Sequence, residues 1–260
     1  MNKLFAAIAV ILFAHAAVAA DEIKLLRSQS TVSAYYQVGL QSVRFEALVK
    51  NLAYAKQVYA HLKKPDGSWI DVPLAYSRPA DNGNEVWAGN FNDSDATGLT
   101  YQSWDLEFAL RYKVNGIEYW DNNGGQNYKQ AKDSGSLMPS TVLFDRFVDT
   151  GNPVTVYGTR YYGSVSLKDI GSNKQVEIRY TTDGWKTTRS AWAVWNGGFW
   201  RSYYSSATNP NQYGVEEWAY GLTLPAGTTR IEYAVAYTVN GTTYWDNNFG
   251  RNYVVAVKMQ

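Results

Sequence analysis

The chain has 260 residues and no cysteine, so it forms one large domain or two of ordinary size, each held by apolar burial without disulfides. Its 24 basic and 23 acidic residues nearly cancel. That leaves no long-range field to attract a polyanion and argues against a nucleic-acid partner. Ten Trp, 21 Tyr and nine Phe are more aromatic side chains than cores alone normally hide, so some are expected at the surface with a purpose.

Residues 1–20 read as a secretory signal peptide. Lys3 gives the positive start, Leu4 to Val18 an apolar run, and Ala17-Val18-Ala19 or Val18-Ala19-Ala20 a small-residue cleavage site. The run is too short to be a convincing membrane span, and nothing later in the sequence is a candidate. Removal of Lys3 leaves 23 basic against 23 acidic residues, a formally neutral mature chain. The expectation is a secreted or periplasmic monomer that is not anchored to a membrane.

From residue 21 to 130 the pattern is that of a first domain. The runs Thr31–Val38, Ser42–Val49, Gln57–Leu62, Val86–Phe91 and Leu106–Val114 are rich in β-branched and aromatic residues, and Gly, Pro, Asn and Asp clusters separate them. Helical periodicity is absent, which predicts an all-β antiparallel sandwich. In Leu106–Val114, Leu106, Phe108, Leu110, Tyr112 and Val114 alternate with Glu107, Ala109, Arg111 and Lys113, the signature of a half-buried strand. Asn115-Gly116 then supplies the two positive φ angles of a tight hairpin turn. Counting outward from the turn, Ile117 and Tyr119 face inward, whereas Glu118 and Trp120 face out.

Residues 131–139 lose this alternation and read as a linker to a second domain, 140–260. The second domain repeats the plan of the first. NGIEYWDNNGGQNY (115–128) returns 125 positions later as NGTTYWDNNFGRNY (240–253), with ten of fourteen positions identical. VSLKDIGSNKQV (165–176) answers to LVKNLAYAKQV (48–58), and TTDGW (181–185) to KPDGSW (64–69). Ile231, Tyr233, Val235, Tyr237 and Val239 are expected inward and Trp245 outward. An insertion, SAWAVWNGGFWRSYY (190–204), precedes the last hairpin.

An outward Trp followed by Asp-Asn-Asn has a chemical use. The C–H face of a pyranose packs on an indole, and short amide and carboxylate side chains exchange hydrogen bonds with the sugar hydroxyls. Trp120 with Asp121, Asn122 and Asn127 would form such a site, and Trp245 with Asp246, Asn247 and Asn252 its twin. The alternative is that Asp, Asn and Gly only build a turn while the Trp closes a core edge.

VKNLAYAKQV (49–58), DGSW (66–69), LAYSRP (74–79), EFALRYKVNG (107–116) and YWDNNGGQNY (119–128) occur in this order. The chain thereby resembles the family 21 carbohydrate-binding modules, the starch-binding domains of fungal glucoamylases and glycogen-targeting domains of phosphatase regulatory subunits. The likeness covers nearly all of the first domain and the first and last segments of the second. It implies two tandem immunoglobulin-like sandwiches that bind α-1,4-glucan (starch, glycogen, maltooligosaccharides) without catalysis, metal or cofactor. The family's first site maps onto Trp69 with Trp120 and onto Trp185 with Trp245. Asn122, Asn127, Asn247 and Asn252 match its polar partners, and Ala109 and Ala234 stand where some members carry a third aromatic. Its second site maps onto Asn51, Tyr54, Lys56 and Tyr76. The second domain has Asp169 and Ser172 in place of Asn51 and Tyr54, so one site is expected there. Trp192, Trp195, Phe199 or Trp200 of the insertion either compensates or forms a satellite cluster under the loop.

Competing chemistries lack parts. His61 is the only histidine after the leader, too few for zinc or a His-based triad. Glu216-Glu217 and Asp93/Asp95 could be imagined as a glycosidase pair, but sequence neighbours seldom reach the needed separation. Asn92–Asp95 reads as a solvated loop without the ligand spacing of a calcium site. Ser42-Val43-Arg44-Phe45 faintly resembles a phosphatase-docking motif without its leading basic residue. A glucan-active enzyme built on these modules and a protein-binding sandwich are the rival readings.

Overall fold

The computed structural model describes residues 21–35, 38–95 and 102–260; the expected leader, 1–20, lies outside them. Among the described residues there is no α-helix and the chain forms two β-sandwich modules. Module 1 holds β1 (Ile23–Tyr35), β2 (Val38–Lys50), β3 (Lys56–Lys63), β4 (Trp69–Pro79), β5 (Asn84–Asp95), β6 (Leu106–Val114), β7 (Ile117–Asp121), β8 (Tyr128–Gln130) and β9 (Gly135–Leu137). Module 2 holds β10 (Leu143–Asp145), β11 (Val154–Val156), β12 (Arg160–Lys168), β13 (Lys174–Thr181), β14 (Arg189–Trp192), β15 (Val194–Trp195), β16 (Val215–Thr223), β17 (Arg230–Val239), β18 (Thr242–Asp246) and β19 (Tyr253–Met259). A 3-10 turn at Phe199–Tyr203 closes the insertion.

In module 1 one layer is β7-β6-β3-β4 and the other β4-β5-β2-β1-β9, because β4 pairs with β3 in its first half and with β5 in its second. Module 2 divides the same role between β14, on β13, and β15, on β16. Pairing is antiparallel except for β11 on β19. Corresponding positions follow from register: Lys56 faces Val114 as Lys174 faces Val239, and Trp87 faces Ala47 as Trp218 faces Val165.

The alternation of the last hairpin holds. Leu106, Phe108, Leu110, Tyr112 and Val114 are buried, as are Ile231, Tyr233, Val235, Tyr237 and Val239. Ile117 is an exception; it lies at the hairpin tip and is exposed. Three other expectations change. The first strand begins eight residues early, since a bulge between Leu25 and Arg27 turns Leu25 to the module core and Leu26 to the junction, which breaks the alternation. β4, with Pro73 and Pro79, carried no strand signal because prolines demote a run. Asn92–Asp95 is not a loop but the end of β5, paired to β2.

Residues 131–139, expected as a linker, hold β9, which pairs with Ser28–Ser30 of β1. Their polar groups are buried because partners await them: Ser136 Oγ donates to Glu217 (2.7 Å), and Asn211 donates to the carbonyls of Ser134 and Ser136. Arg27 pairs with Glu46 at 2.7 Å with both side chains almost wholly buried, and reaches Ser166 across the junction. Arg78 donates to Asn248 (2.8 Å) and lies over the rings of Phe144 and Tyr253. Leu26, Ala80, Val86, Met138, Phe144 and Val215 fill the space between the modules. The two sandwiches therefore pack directly on one another.

Candidate functional site

The outer face of the β7-β6-β3-β4 layer carries the first constellation. Residues one strand apart on this face are direct neighbours: His61 lies between Asp71 on β4 and Ala109 on β6, and Arg111 faces Trp120 on β7. The Asp66 carboxylate accepts from the Ser68 N–H and hydroxyl, closing the turn that delivers Trp69. The His61 imidazole stacks on Trp69 (centroids 4.8 Å, planes 9° apart) and meets Trp120 edge-on at 5.4 Å. Its Nδ1 lies 2.7 Å from Asp71. Arg111 sits over Trp120 at 5.3 Å, held by Asp71 and Glu118. Ala109 is the buried floor. The space of the missing aromatic is thus lined from β3, by a histidine that sequence reasoning had set aside.

Module 2 builds the same face with different parts. Arg179, in the His61 position, covers Trp245 at 4.9 Å, and Ala236 replaces Arg111. Trp185 is held by its Nε1–H to Glu232 (2.7 Å). Trp69 and Trp185 are a little over one-third exposed and Trp245 about half, so each presents ring surface to solvent.

The polar residues of the hairpin loop divide into two groups. Asp121 and Asp246 do not serve a ligand: both Asp121 oxygens accept from the Tyr128 hydroxyl and one from the Leu25 N–H. Asp246 does the same for Tyr253 and the Asp145 N–H. Their carboxylates tie the loop to the first strand of each sandwich, which corrects their assignment as sugar ligands. Asn127 and Asn252, both with φ near +57°, spend their side-chain NH2 on Glu107 and Glu232 at 2.9 Å. Asn122 and Asn247 accept through Oδ1 from the N–H of Gly125 and Gly250, three residues on, which leaves each Nδ2 unpaired among the described residues. Glu107 and Glu232 were not foreseen as site members. The Asn127 and Lys63 hydrogen bonds hold the Glu107 carboxyl below its ordinary range. For Glu232 burial acts upward, but bonds from Asn252, Trp185 and Arg230 outweigh it. Both stay ionised as hydroxyl acceptors.

A second constellation lies at the end of the module 1 sandwich, a cavity of about 620 Å³ lined by Asn51, Ala53, Tyr54, Lys56, Tyr76, Glu85 and Trp87. All four residues expected there converge. Lys56 bridges Asn51 and Glu85, whose carboxylate also accepts from Trp87 Nε1–H (2.9 Å). Tyr54 is fully exposed and Tyr76 half exposed, their rings free for stacking.

A family model described as carbohydrate/starch-binding module (family 21) matches residues 28–131 and again 154–256. The chain belongs to this family. It is similar to the mouse protein phosphatase 1 regulatory subunit 3E, 31% identical over 93 residues, 36% of this chain and 30% of the relative. To regulatory subunit 3C of Xenopus tropicalis it is 28% identical over 103 residues, 38% and 40% of the two chains. The chain thus spans well under half the length of these curated relatives. The starch-binding domain of Rhizopus oryzae glucoamylase, solved with β-cyclodextrin and maltoheptaose, aligns at 22% identity over 44% of this chain and 97% of that one, with a TM-score of 0.31.

The second family 21 module keeps more of the second constellation than its sequence suggested. Lys174 bridges Asp169 and Glu216, both at 2.6 Å, and Glu216 accepts from Trp218 Nε1–H (2.9 Å). This is the Asn51–Lys56–Glu85–Trp87 frame in duplicate. Trp195 faces Trp218 as Tyr76 faces Trp87 and is half exposed. Only the Tyr54 ring has no counterpart, Ser172 being there. Phe199 and Trp200 are buried against Arg146, so they belong to the satellite cluster.

Glu216 and Glu217 point to opposite faces of β16, and Glu217 is buried among Ser136, Ser166 and Arg146. Val43 and Phe45 of the docking-like segment are in the core. Among the described residues no group of His, Asp or Glu is arranged to hold a metal.

Proposed function

We propose that the protein grips α-1,4-glucan, starch- or glycogen-like, without cutting it. One observation carries the reading: each module presents a Trp pair on one sheet face beside an ionised Glu and an unpaired Asn amide, in a family described as starch-binding. Aromatic faces take the sugar rings; Glu and Asn take the hydroxyls. The Asn51/Tyr54/Lys56/Tyr76 cavity and its Asp169/Lys174/Trp195 counterpart add a second site to each module.

Open sites of this kind are individually weak, and avidity raises the hold on a long chain if the geometry lets two sites engage together. The packed junction fixes that geometry, in contrast to a flexible tether. The proposal extends to a monomer that leaves the cell by means of residues 1–20. The segment Ser42-Val43-Arg44-Phe45 is not offered as a docking motif, because Val43 and Phe45 are buried in the core.

The intact protein should co-sediment with granular starch and not with cellulose, and a Trp120→Ala, Trp245→Ala variant should lose most of that binding. Undiminished sedimentation of the double variant, or none by the intact protein, defeats the reading. Release of reducing ends from amylose by purified protein would favour the enzymatic rival.

A further inference from the structure

Module 2 carries one exposed indole that neither constellation uses. On β14, Ala191 packs into the core and Trp192 faces out, about 59% exposed. Register places it in a single row across the outer face: Trp192 opposite Glu177, Glu177 opposite Ala236, Ala236 opposite Trp245. Three strand spacings of about 4.8 Å separate the two indoles, roughly 14 Å. The floor between them is low. Ala236 has no side chain to obstruct, and Glu177 is drawn down by Arg179 (3.0 Å) and Ser190 (2.6 Å).

The other four platform tryptophans each have a holding group: His61, Arg111, Glu232 or Arg179. Among the described residues Trp192 has no ring, cation or hydrogen-bond partner. Module 1 has Pro73 at this position, opposite Tyr59, in a row whose floor is occupied by Arg111. The row is therefore open only in module 2. An edge strand is also where a long chain can enter a sheet face without meeting another element.

We infer that Trp192 is a third stacking platform, continuous with Trp245, so that module 2 holds a longer stretch of α-glucan than module 1. This rests on the glucan-binding reading. The span exceeds one pyranose ring, so the subsite is filled by a long oligosaccharide and left empty by a short one that sits on Trp245.

The test uses the full chain with Trp120→Ala and Tyr54→Ala to silence module 1, titrated with maltotriose and maltoheptaose. Adding Trp192→Ala should leave maltotriose affinity within about twofold and weaken maltoheptaose by about three- to tenfold, the worth of one aromatic contact. Trp192→Phe should recover most of the loss. Equal weakening of both sugars, or no change in either, overturns the third platform. Absence of maltoheptaose binding by the unsubstituted full chain overturns instead the glucan reading on which it rests.

Discussion

Asp145 offers a test of the core that is independent of ligand. It is buried where module 1 has Leu25, since the N–H of each donates to the same anchoring carboxylate, of Asp246 for Asp145 and of Asp121 for Leu25. Tyr233 donates to one of its oxygens (2.9 Å) and Tyr220 to the other (3.0 Å). Burial, and then the nearby Asp246 carboxylate, raise its pKa from 3.8 to about 7. The folded protein therefore holds a proton there that the unfolded chain has released. Between about pH 4 and 7 the folded state binds more protons, so this stabilising contribution is complete below pH 4 and lost as pH rises through 7. A shift of some 3 units corresponds to on the order of 4 kcal/mol. Asp145→Asn removes the titration and keeps a carbonyl acceptor. Urea unfolding of both proteins at half-unit steps from pH 4.5 to 8 gives a difference in which titrations common to both cancel. The variant should gain relative to the parent as pH rises and level off above pH 7.5. A difference that stays flat across the range would refute the assignment of a buried protonated carboxyl.

Other outcomes follow from the junction and from the leader. Glu46→Ala strands the buried Arg27 guanidinium and should cost about 3–5 kcal/mol in urea unfolding. Burial pushes the Glu46 carboxyl up, but Arg27 and Arg44 hold it below its ordinary value, so its support disappears as pH falls below about 4.5. Gly135 has φ +72°, and a Cβ there would come within 2.8 Å of the Trp200 ring. Gly135→Ala should therefore cost about 2–5 kcal/mol and split calorimetric unfolding into two module transitions. Lys174→Met should halve the number of second-type sites, read as maltoheptaose stoichiometry in a Trp120→Ala, Trp245→Ala background. N-terminal sequencing of protein exported by a bacterial host should begin at Ala20 or Asp21; recovery of an uncut chain would remove the export proposal.

The sequence showed most clearly what is local. Period-two alternation and an Asn-Gly turn are properties of adjacent residues, so both final hairpins and the outward Trp120 and Trp245 were legible. The hidden parts depend on partners far along the chain. Residues 131–139 are polar and looked like a tether, yet Ser136 meets Glu217 and Ala131 meets Tyr213, some eighty residues away. Asp121 looked like a ligand because its neighbours are turn residues; only the fold brings Leu25 and Tyr128 to it. His61 was passed over as a catalytic residue without partners. Its place became visible when register put it opposite Ala109, between two indoles.

The duplication also separates what the site needs from what it tolerates. In the core, Phe45 opposite Gly89 becomes Gly163 opposite Tyr220, a large side chain moved across a strand pair with the volume kept. On the binding face the cation over the hairpin Trp moves from β6, as Arg111, to β13, as Arg179. Tyr76 becomes Trp195 while Lys, Glu and the indole N–H behind it stay. The Glu–Asn clasp and the Trp at the hairpin are the same in both copies. Retained frame with exchanged aromatic rims is the pattern expected if both modules bind one class of ligand and differ in how much of it each can hold. Trp192, present in one copy and Pro73 in the other, is the position at which that difference can be measured.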